Sequence, residues 1–429
     1  MNAIVFDTVG PVGRQRLEVR PGPSLLRGIA DGPSLGAHRR THGTPMQPAI
    51  EELRSLTETA ALRGRGGAGF PFATKLAAAA SGSGTPTVVV NLSEGEPASS
   101  KDAALAMTAP HLVLDGAEAT ARALGVRAVH LILPGDQPAV ADVIHRAVAE
   151  RRAVDRRTTW RFHTADSRFV AGQARAVIEL MSGRQNLPVT AWEPEAMRGY
   201  KNRPTMLSNA ETYAQVGTLL TQGPSRYAGQ GSEEAPGTTL LTLRGDSARP
   251  VVMEVPHGTP WSEVLGESIQ QPILLGGFHG VWVAPGGLVG RTVCRDDLAA
   301  NGLTLGAGVV LPLAMDVCPL NRTAEIADYL AGQSAGRCGP CLNGLPALAR
   351  TVHELALGQP SVARAEQLVG LVTRRGACAH PDGTARLVSS MLFAFPEEHR
   401  VHAQGSCSFT TEADPETDTA PYALMAVDQ

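Results

Sequence analysis

The sequence predicts an α/β protein built from successive parts of different character. Between Thr85 and Gly183, strand-like segments alternate with helical ones, which indicates a parallel sheet covered by helices. From 238 to about 315 the pattern changes to short strands punctuated by Gly, Pro and Asp, and from 321 onward it is helical. The predicted organisation is an extended lead-in at 1–46, an α/β domain at 47–236, a small β-rich domain at 237–315, a helical domain at 316–400 and a polar tail at 401–429.

The spacing of apolar residues predicts the individual elements. In the α/β domain, a helix at 47–61 leads into a glycine-rich loop, and strands at 87–92, 128–135 and 158–165 alternate with helices at 109–124, 137–150 and 174–183. Residues 184–236 are predicted to be loop-rich, with one helix near Asn209–Leu220. The β-rich domain has strands at 238–245, 251–258, 273–277 and 280–284 and a short helix at 259–268. Helices follow at 321–333, 342–356, 361–372 and 384–395.

Composition excludes several classes of function. The 429 residues carry 38 Lys and Arg against 41 Asp and Glu, so no basic excess is available for nucleic acid. No apolar run approaches the roughly 20 residues that span a bilayer, so direct membrane insertion is not expected. The first residues lack a basic segment followed by an apolar one, which predicts a cytoplasmic protein without a signal peptide.

Cysteines are confined to the last third of the chain, where all six lie beyond residue 290. A disulfide framework is not expected in a cytoplasmic protein, and the C-x-x-C of Cys338 and Cys341 instead suggests metal or redox chemistry. Cys294 and Cys318 lie beside apolar stretches and are predicted to be small buried hydrophobic residues. Cys407 falls in the polar tail and is expected to be free.

A glycine-rich loop is the first candidate binding site. Residues 64–69, Gly-Arg-Gly-Gly-Ala-Gly, match the spacing G-x-G-x-x-G, but a helix precedes them, which argues against an ordinary dinucleotide-binding turn. Four glycines in six residues let backbone N–H groups approach an anion, and Lys75 can add a positive charge. From these residues alone, a phosphate-binding loop and a flexible turn both stay open.

Five segments in a fixed order resemble one protein family. They are ALRGRGGAGFPFATK at 61–75, VVNLSEGEPASSKDAALAM at 89–107, RPTMLSNAETYAQV at 203–216, GTTLLTLRGDSARPVVMEVPHGTP at 237–260, and SAGRCGPCLNGLP at 334–346 with the later ACAHPDG. Together they resemble the FMN- and NADH-binding subunit of respiratory complex I, which also occurs in NAD-linked hydrogenases and formate dehydrogenases. The resemblance implies a Rossmann-like FMN-binding α/β domain, a β-grasp (soluble-ligand-binding) domain and a C-terminal helical iron–sulfur domain.

The resemblance implies an FMN site at the glycine loop and the strand that follows it. By position, the residues that would hold the phosphate and ribityl chain are Gly64, Arg65, Gly66 and Lys75. Asn91 would contact the flavin, and Asn209 would contact its phosphate side. The chain departs from the family at Ser93, where the family has aspartate, and at Ser208, where it has the first asparagine of a pair. Lys101-Asp102 matches a Lys-Asp of the family, and an exposed helix-start pair is the equally open alternative.

The implied NADH site is retained at the nicotinamide end and altered at the adenosine end. Glu96 matches the glutamate that meets the nicotinamide carboxamide, and Gly67 and Phe70 line that side. At the other end, Ala78 replaces an aromatic that sandwiches adenine. The family's Gly-Glu-Glu-Thr, whose carboxylates bind the ribose, is replaced by residues from Gly172 to Arg175. Discrimination between NADH and NADPH is therefore expected to be weak or reversed.

The implied iron–sulfur site has three cysteines where the family has four. The resemblance makes Cys338, Cys341 and Cys378 ligands of a [4Fe–4S] cluster, but Ala335 stands at the first ligand position. The open outcomes are a [3Fe–4S] cluster, a [4Fe–4S] cluster whose fourth iron is bound by His380, another cysteine or an exogenous ligand, and an empty C-x-x-C. A labile bound cluster is favoured, because the surrounding Gly, Pro and helix signals are kept.

The predicted function is that of a diaphorase-type flavoprotein subunit. It would oxidise NADH or NADPH through FMN and pass electrons through the iron–sulfur centre to a ferredoxin-like or thioredoxin-like iron–sulfur partner. Two alternatives stay open. One is an FMN-binding conduit that exchanges electrons with ferredoxin-like partners without using NADH, and the other is a non-catalytic assembly module.

Overall fold

The computed structural model of the protein describes residues 3–10, 13–245 and 249–409. Its strands, in chain order, are β1 (Ile4–Gly10), β2 (Gly13–Val19), β3 (Thr87–Asn91), β4 (Ala128–Pro134), β5 (Thr159–Ala165), β6 (Thr205–Asn209), β7 (Thr238–Leu243), β8 (Val251–Pro256), β9 (Ile273–Leu275), β10 (Val281–Val283) and β11 (Val309–Pro312). Its helices are α1 (Leu35–His42), α2 (Ile50–Thr59), α3 (Phe72–Ser81), α4 (Lys101–Thr108), α5 (Pro110–Ala123), α6 (Pro138–Val154), α7 (Ala174–Met181), α8 (Ala210–Gln222), α9 (Pro224–Ala228), α10 (Trp261–Leu265), α11 (Arg295–Ala300), α12 (Pro319–Gly332), α13 (Leu345–Ala356), α14 (Val362–Val372), α15 (His380–Ala394) and α16 (Pro396–Ala403). Short 3₁₀ turns lie at Ile29–Asp31, Tyr200–Asn202 and Gly266–Gln270, and a π-helical turn at Pro340–Gly344 leads into α13.

The α/β part is centred on a parallel sheet, whose strands in the described residues have the order β5-β4-β3-β6. Side chains of a strand alternate between the two faces of a sheet. In β3, Val88 and Val90 therefore join one core while Val89 joins another on the opposite face. Burial on both faces explains why this strand is a continuous apolar run in the sequence. The predicted α/β class is confirmed.

A mixed sheet forms a second layer, with the order β1-β2-β8-β7-β11-β9-β10 among the described residues. Strands β7–β11 lie where the β-rich domain is predicted, and the β1–β2 hairpin extends their sheet because β2 pairs in parallel with β8. The prediction that residues 1–46 form an extended lead-in is therefore wrong, because two of its segments are strands of this sheet. Leu17, Val19 and Leu25 are fully buried in the core that the α/β helices share. The apolar residues of β2 alternate with polar ones, so the strand lacks the continuous apolar run of a central strand.

The loop-rich prediction for residues 184–236 also needs correction. The predicted helix is present as α8, but β6 precedes it and α9 follows it. Strand β6 pairs with β3 along its whole length, from Thr205 opposite Thr87 to Asn209 opposite Asn91. Its last two residues, Ser208 and Asn209, are polar and lie at the carboxyl edge of the sheet, so the apolar run of this strand is only Met206 and Leu207.

Helices α12–α16 form the C-terminal part of the described chain, as the helical pattern predicts. Their core includes Leu320, Leu348 and Leu387, and it is continuous with Phe169 of the α/β part and Trp282 of the β-rich part. Helix α16 extends beyond the predicted start of the polar tail at 401, and residues 410–429 of that tail lie outside the described residues. Within the described residues, no helix is both long enough and apolar enough to cross a bilayer.

Candidate functional site

The polar ends of β3 and β6 lie side by side at the carboxyl edge of the parallel sheet. The chain leaves β3 toward β4 on one side and later returns as β6 on the other, so the order of strands reverses between β3 and β6. Ligands of open α/β sheets bind at such a reversal, outside the carboxyl ends of the strands. Asn91 and Asn209 are register partners at this point, and Ser208 is the partner of Val90. The fold thus brings these three residues of the predicted flavin site together.

The glycine-rich loop lies against the same edge. It is closed at its base by a hydrogen bond from the Gly64 N–H to the Phe70 carbonyl (2.8 Å) and by a bridge between Arg63 and Pro71. A Cβ added to Gly66 would lie 4.0 Å from the Asn209 side chain, so the loop is in van der Waals range of β6. Gly67 and Gly69 have φ of 106° and 65°, which L side chains rarely adopt.

Backbone N–H groups of the loop are available to an anion. In the described part of the chain, the N–H groups of residues 66–69 have no hydrogen-bond partner. Arg295 of α11, which the sequence did not single out, reaches the loop at the Gly67 carbonyl (3.4 Å). Burial, together with the nearby charge of Arg65, lowers the pKa of Arg295 to about 10. These N–H groups and guanidinium charges are the donors that a phosphate group requires.

Arg65, one of the residues predicted to hold the phosphate and ribityl chain, lies beneath the glycine loop. The residue is buried, its N–H donates to the Thr212 hydroxyl (2.9 Å), and its Nη2 donates to the Thr238 carbonyl (3.1 Å). The guanidinium thus anchors the loop to β7 from below. Its Nε, like that of Arg295, has no hydrogen-bond partner among the described residues. Because Arg65 is buried, its guanidinium group places positive charge beneath the loop.

The glycine loop and the carboxyl ends of β3 and β6 border a space that is called the crevice below. Lys75 lies on α3, at the side of this crevice, and its ammonium group is already paired. Its ammonium group donates to the Leu207 carbonyl of β6 (2.7 Å) and forms an ion pair with Glu195 (2.7 Å). Burial opposes the ionisation of Glu195, but the Lys75 charge outweighs it and lowers the pKa of this carboxyl. Sequence reasoning missed Glu195, because it lies about 120 residues from Lys75 in a segment without a motif.

Asn91 joins the end of β3 to the loop before α7. Its amide nitrogen donates to the Gly172 carbonyl (2.8 Å), and its carbonyl oxygen accepts from the Ser93 N–H (3.0 Å). A Cβ on Gly172 would lie 2.9 Å from the Ser93 carbonyl, so only glycine allows this close approach. The two segments that the resemblance assigns to the flavin and to the nucleotide ribose are therefore in direct contact.

A buried ionic network supports Asn209 from behind. The Lys101 ammonium group lies 3.1 Å from Asp102 and 3.1 Å from Glu211, and all three side chains are buried. The Asp102 carboxylate accepts hydrogen bonds from the Asn209 amide (3.2 Å) and from the Glu211 N–H (3.1 Å). Burial works against the charge of Lys101, but Asp102, Glu211 and Glu94 raise its pKa. The alternative of an exposed helix-start pair is therefore wrong.

Glu96 lies where the α/β and β-rich parts meet. Its carboxylate accepts hydrogen bonds from the Phe278 N–H (2.8 Å) and the Ala98 N–H (3.2 Å). Burial raises the pKa of Glu96 to about 7, against the opposing effect of these two N–H groups. Gly277 has φ of 95°, and a Cβ there would lie 2.5 Å from the carboxylate. The β-rich part thus positions this side chain through the backbone after β9.

The residues at the predicted nucleotide side are partly engaged elsewhere. Phe70 is 54% exposed at the end of the glycine loop, where its ring can contact a ligand. Arg175 donates to the carbonyls of Arg198 (3.0 Å) and Glu193, and its charge also acts on Glu195. Gln173, one of the residues in place of the family's carboxylates, forms a hydrogen bond with the Cys378 thiol. Ala78 is half-buried on α3.

The three predicted cysteine ligands lie at one end of the helical part. The sulfur atoms of Cys338 and Cys341 are 3.6 Å apart, and the charges of both act on Cys378, which precedes α15. Burial opposes the ionisation of Cys338, but hydrogen bonds from the N–H groups of Ala377 and Cys341 and from the Cys341 thiol lower its pKa. Burial raises the pKa of Cys341 and Cys378.

Backbone N–H groups surround these sulfurs. Gly336 and Arg337 donate to Cys341, and His380 donates to Cys378. N–H···S bonds of this kind stabilise thiolates bound to an iron–sulfur cluster, so the donor set fits such a group. Among the candidates for a fourth ligand, His380 is a poor one. Its Nε2 is 2.8 Å from the Leu330 carbonyl and its Nδ1 is 3.0 Å from His279, so both ring nitrogens have partners.

The two segments that carry the three cysteines, 333–341 and 375–378, are hereafter the cysteine loop, and they contact the α/β part next to the crevice. Besides the Gln173–Cys378 hydrogen bond, Arg337 donates to the Gln185 side chain (3.0 Å), and the Phe169 N–H donates to Gln333 (3.0 Å). The segment 166–187 therefore borders the glycine loop's crevice through Gly172 and the cysteine loop through these contacts. Fold and site together define the class: an α/β protein with a candidate phosphate-binding crevice where the strand order reverses between β3 and β6, and with three cysteines close to that crevice.

Comparison with known proteins finds two matching domain models and several relatives of similar length. Residues 57–218 match the Nuo51 FMN-binding domain, and residues 321–402 match the NADH-ubiquinone oxidoreductase-F iron-sulfur binding region. The chain is 26% identical over 413 residues to the NADH-quinone oxidoreductase F subunit 2 of Rhizobium meliloti (strain 1021), covering 89% of this chain and 98% of the relative. It is 27% identical over 417 residues to the NADH-quinone oxidoreductase F subunit of Streptomyces coelicolor, covering 90% and 91%. The resemblance seen in the sequence is confirmed, because both domain models and the relatives along most of the chain point to the same kind of subunit.

A solved structure shares the fold. The crystal structure of an NAD⁺-reducing [NiFe]-hydrogenase in the H₂-reduced state superposes with a TM-score of 0.79 at 22% sequence identity. The match covers 92% of this chain and 68% of the hydrogenase chain. The predicted combination of an α/β part, a β-rich part and a helical C-terminal part is thus an arrangement that an experimental structure also adopts.

Proposed function

We propose that this chain is an oxidoreductase subunit that oxidises a reduced nicotinamide nucleotide with bound FMN and delivers the electrons through an iron–sulfur centre to a partner protein. The observation that carries this proposal is that one segment, 166–187, contacts both the crevice of the predicted flavin site and the cysteine loop. Gly172 of this segment borders the crevice of the glycine loop, and Gln173 and Gln185 contact the cysteine loop. FMN, when bound, accepts two electrons together and releases them one at a time.

The chain's own residues would bind FMN at the reversal between β3 and β6. The N–H groups of residues 66–69 would hold the phosphate above the charges of Arg65 and Arg295. Lys75 would reach the same phosphate by exchanging Glu195 for it. Asn91 and Asn209 would face the ring and the ribityl side. The Gly172 carbonyl fixes the Asn91 amide, and the Asp102 carboxylate fixes the Asn209 amide. Ser93 and Ser208 would supply hydroxyls where the family has a carboxylate and an amide.

The nicotinamide would lie between Glu96 and the loop residues Gly67 and Phe70. A pKa of about 7 lets Glu96 either accept from the carboxamide N–H or donate to its oxygen. Gly172 and Arg175 would face the ribose of the adenosine half. Electron exit would be toward Cys338, Cys341 and Cys378, and the partner would be a ferredoxin-like or thioredoxin-like iron–sulfur protein in the cytoplasm.

The test of this function is the absorbance spectrum of the full-length protein, purified without oxygen, before and after NADH or NADPH is added. The expected result is a bound flavin whose visible absorption bleaches with at least one nucleotide. A flavin-containing protein that neither nucleotide bleaches would instead support the conduit, which exchanges electrons only with ferredoxin-like proteins. A protein without flavin, even after incubation with FMN, would support the assembly module.

Lys75→Ala should lower the FMN content of the purified protein about tenfold or more, because the variant removes a charge that pairs with a phosphate dianion. Lys201→Ala is the matched control, since Lys201 is exposed and its ammonium group lies over the Tyr200 ring. Flavin released by denaturation is quantified by fluorescence for both variants. Equal flavin content in the two variants would remove Lys75 from the phosphate site.

Discrimination against NADPH should be weak in the wild-type protein, because no carboxylate remains at the two altered positions and Arg175 lies beside them. The expected ratio of kcat/KM for NADH over NADPH is below about a hundredfold. Arg175→Glu should shift the ratio toward NADH by about tenfold or more, since it replaces attraction for a 2′-phosphate by repulsion. Arg161→Glu, on the exposed side of β5, makes the same change of charge and should leave the ratio unchanged.

The conduit remains the second candidate because of two observations. Gln173 and Arg175 have no carboxylate to offer the ribose, and their side chains are already bonded to Cys378 and to loop carbonyls. Ala78 offers no ring to adenine. Under this alternative the flavin crevice and the cysteine loop keep their roles, and only the nucleotide is absent from the reaction.

A further inference from the structure

A second group of metal-ligand side chains lies in the helical part and shares no cysteine with the predicted iron–sulfur site. It consists of Cys318, Glu398, His402 and Cys407, hereafter the Cys318 cluster, and its ligand atoms all lie within 4.8 Å of one another. Cys318 immediately precedes α12, and Glu398 and His402 are one turn apart on α16. Cys407 follows α16. It forms no disulfide, as expected, but its sulfur lies among these ligand atoms instead of standing alone in a polar tail.

The hydrogen bonds of His402 leave one ring nitrogen directed into this cluster. Its Nδ1 lies 2.7 Å from the Ala356 carbonyl, which can only accept, so Nδ1 carries a proton. Its Nε2 lies 3.4 Å from the Cys318 sulfur and 3.1 Å from Glu398 Oε1. In the neutral imidazole this nitrogen has a lone pair that faces a carboxylate oxygen. That contact is favourable only if a proton or a metal cation lies between them.

An imidazole whose second nitrogen is fixed by a backbone carbonyl is the usual arrangement of a metal-binding histidine. The carboxylate is fixed in the same manner, because Glu398 Oε1 accepts from the Ser408 N–H (2.9 Å). Both ligands on α16 are thus oriented by backbone groups from other segments, Ala356 at the end of α13 and Ser408 after the helix.

Burial and charge also favour a cation here. Cys318, Glu398 and His402 are 4%, 5% and 7% exposed, so a thiol, a carboxylate and an imidazole are gathered in a nearly dry environment, with the partly exposed Cys407 beside them. A divalent metal bound here would deprotonate the thiols that it coordinates and would neutralise the resulting charge.

We infer that the Cys318 cluster binds one zinc ion. Two thiolates, one imidazole and one carboxylate make four ligands, the number in a structural tetrahedral zinc site. Sulfur and nitrogen donors together select zinc over magnesium or calcium, which prefer oxygen. A site with four protein ligands has no open position, so its role is structural. The ion would fasten Cys407, after α16, to Cys318, at the start of α12, across about 90 residues of sequence.

The test is metal analysis of the full-length protein, purified without chelator, desalted after incubation with zinc chloride and measured by mass spectrometry of the elements. We expect one zinc ion per chain in the wild-type protein and in Cys294→Ser, a control cysteine at the start of α11. Cys407→Ser and His402→Gln should each retain about tenfold less zinc. A Cys338→Ser/Cys341→Ser double variant should lose iron and keep zinc, which separates this site from the iron–sulfur centre.

Cobalt(II) bound in place of zinc should give the visible absorption bands of a tetrahedral thiolate complex in the wild-type protein, and Cys407→Ser should abolish them. Cys407 is partly exposed near the end of the described chain, so its substitution should leave the far-ultraviolet circular dichroism unchanged. Wild-type protein that retains no zinc, or Cys407→Ser and His402→Gln variants that retain as much zinc as the wild type, would overturn the inference. A Cys318–Cys407 disulfide in protein prepared without oxygen would also overturn it.

Discussion

Lys101→Met should destabilise the protein by about 3–5 kcal/mol, because removing one partner of a buried ion pair leaves uncompensated charge. Lys101 is the cation between the buried carboxylates of Asp102 and Glu211, at 3.1 Å from each. Methionine has a similar length but cannot donate a hydrogen bond. The two carboxylates would have to take up protons, admit water or move apart, and each of these changes costs folding free energy.

The same variant should also lose FMN, because the network positions Asn209. The Asp102 carboxylate holds both the Asn209 amide and the Glu211 N–H at the start of α8, next to the register partner Asn91. An Asp102 that is displaced or protonated no longer fixes this corner of the crevice. The effect on flavin would therefore be indirect, through a positioning network rather than through contact with the cofactor.

Urea unfolding followed by circular dichroism, together with flavin content, measures both effects. Lys201→Met is the matched control, since Lys201 is exposed, and it should change stability by less than about 0.5 kcal/mol. Adding Glu211→Gln to Lys101→Met removes one of the stranded charges and should recover part of the lost stability. A Lys101→Met protein as stable as the control would show that the carboxylates do not depend on the ammonium group.

Much of this architecture follows from the sequence because the central elements are buried on both sides. Strand β3 contains a run of three valines, β4 is apolar except for His130, and helices α5–α7 alternate with the strands at recognisable spacing. The glycine loop and the C-x-x-C are similarly local, since a few adjacent residues carry the signal. The resemblance to the family depends on such local segments and on their order, and the comparisons confirm it.

The features that the sequence did not predict depend on contacts between distant residues. Strand β2 carries only Leu17 and Val19 as buried apolar residues, and its place beside β8 depends on a pairing across about 230 residues. Glu195 shows the same limitation, because its role follows from Lys75 on another element. The burial of Lys101 and Asp102 could not be predicted without knowing that Glu211 lies beside them. Cys407 is a candidate metal ligand only because the fold places it beside Cys318 and His402. Propensity and spacing describe neighbours along the chain, whereas these residues are neighbours only after folding.

Ala335→Cys should convert an oxygen-sensitive iron–sulfur centre into a stable one. The wild-type chain offers Cys338, Cys341 and Cys378, whose sulfurs accept N–H groups from the surrounding backbone. Ala335 is half-buried just before Gly336, a residue with φ of 65° that turns the chain toward Cys338. A thiolate at position 335 would supply the ligand that a [4Fe–4S] cluster lacks here, and a complete set of four retains its irons better than three.

The expected result has two parts. Anaerobically purified wild-type protein should contain iron and acid-labile sulfide, and electron paramagnetic resonance should show a cluster that is degraded on exposure to air. In Ala335→Cys the visible absorption of the cluster should persist in air about tenfold longer or more, the order of change that a completed ligand environment gives. Flavin content should be the same in both proteins, because Ala335 lies in the cysteine loop and not at the β3–β6 crevice.

Ala299→Cys on α11 is the control, because it adds an exposed thiol outside the cysteine loop and should leave the lifetime of the cluster unchanged. Equal lifetimes in Ala335→Cys and wild type would mean that position 335 is not the missing ligand position. Iron and sulfide absent from both proteins after reconstitution would mean that the cysteine loop holds no cluster. The electrons would then leave the flavin directly for the partner protein, and Cys338 and Cys341 would remain a bare pair of thiols 3.6 Å apart.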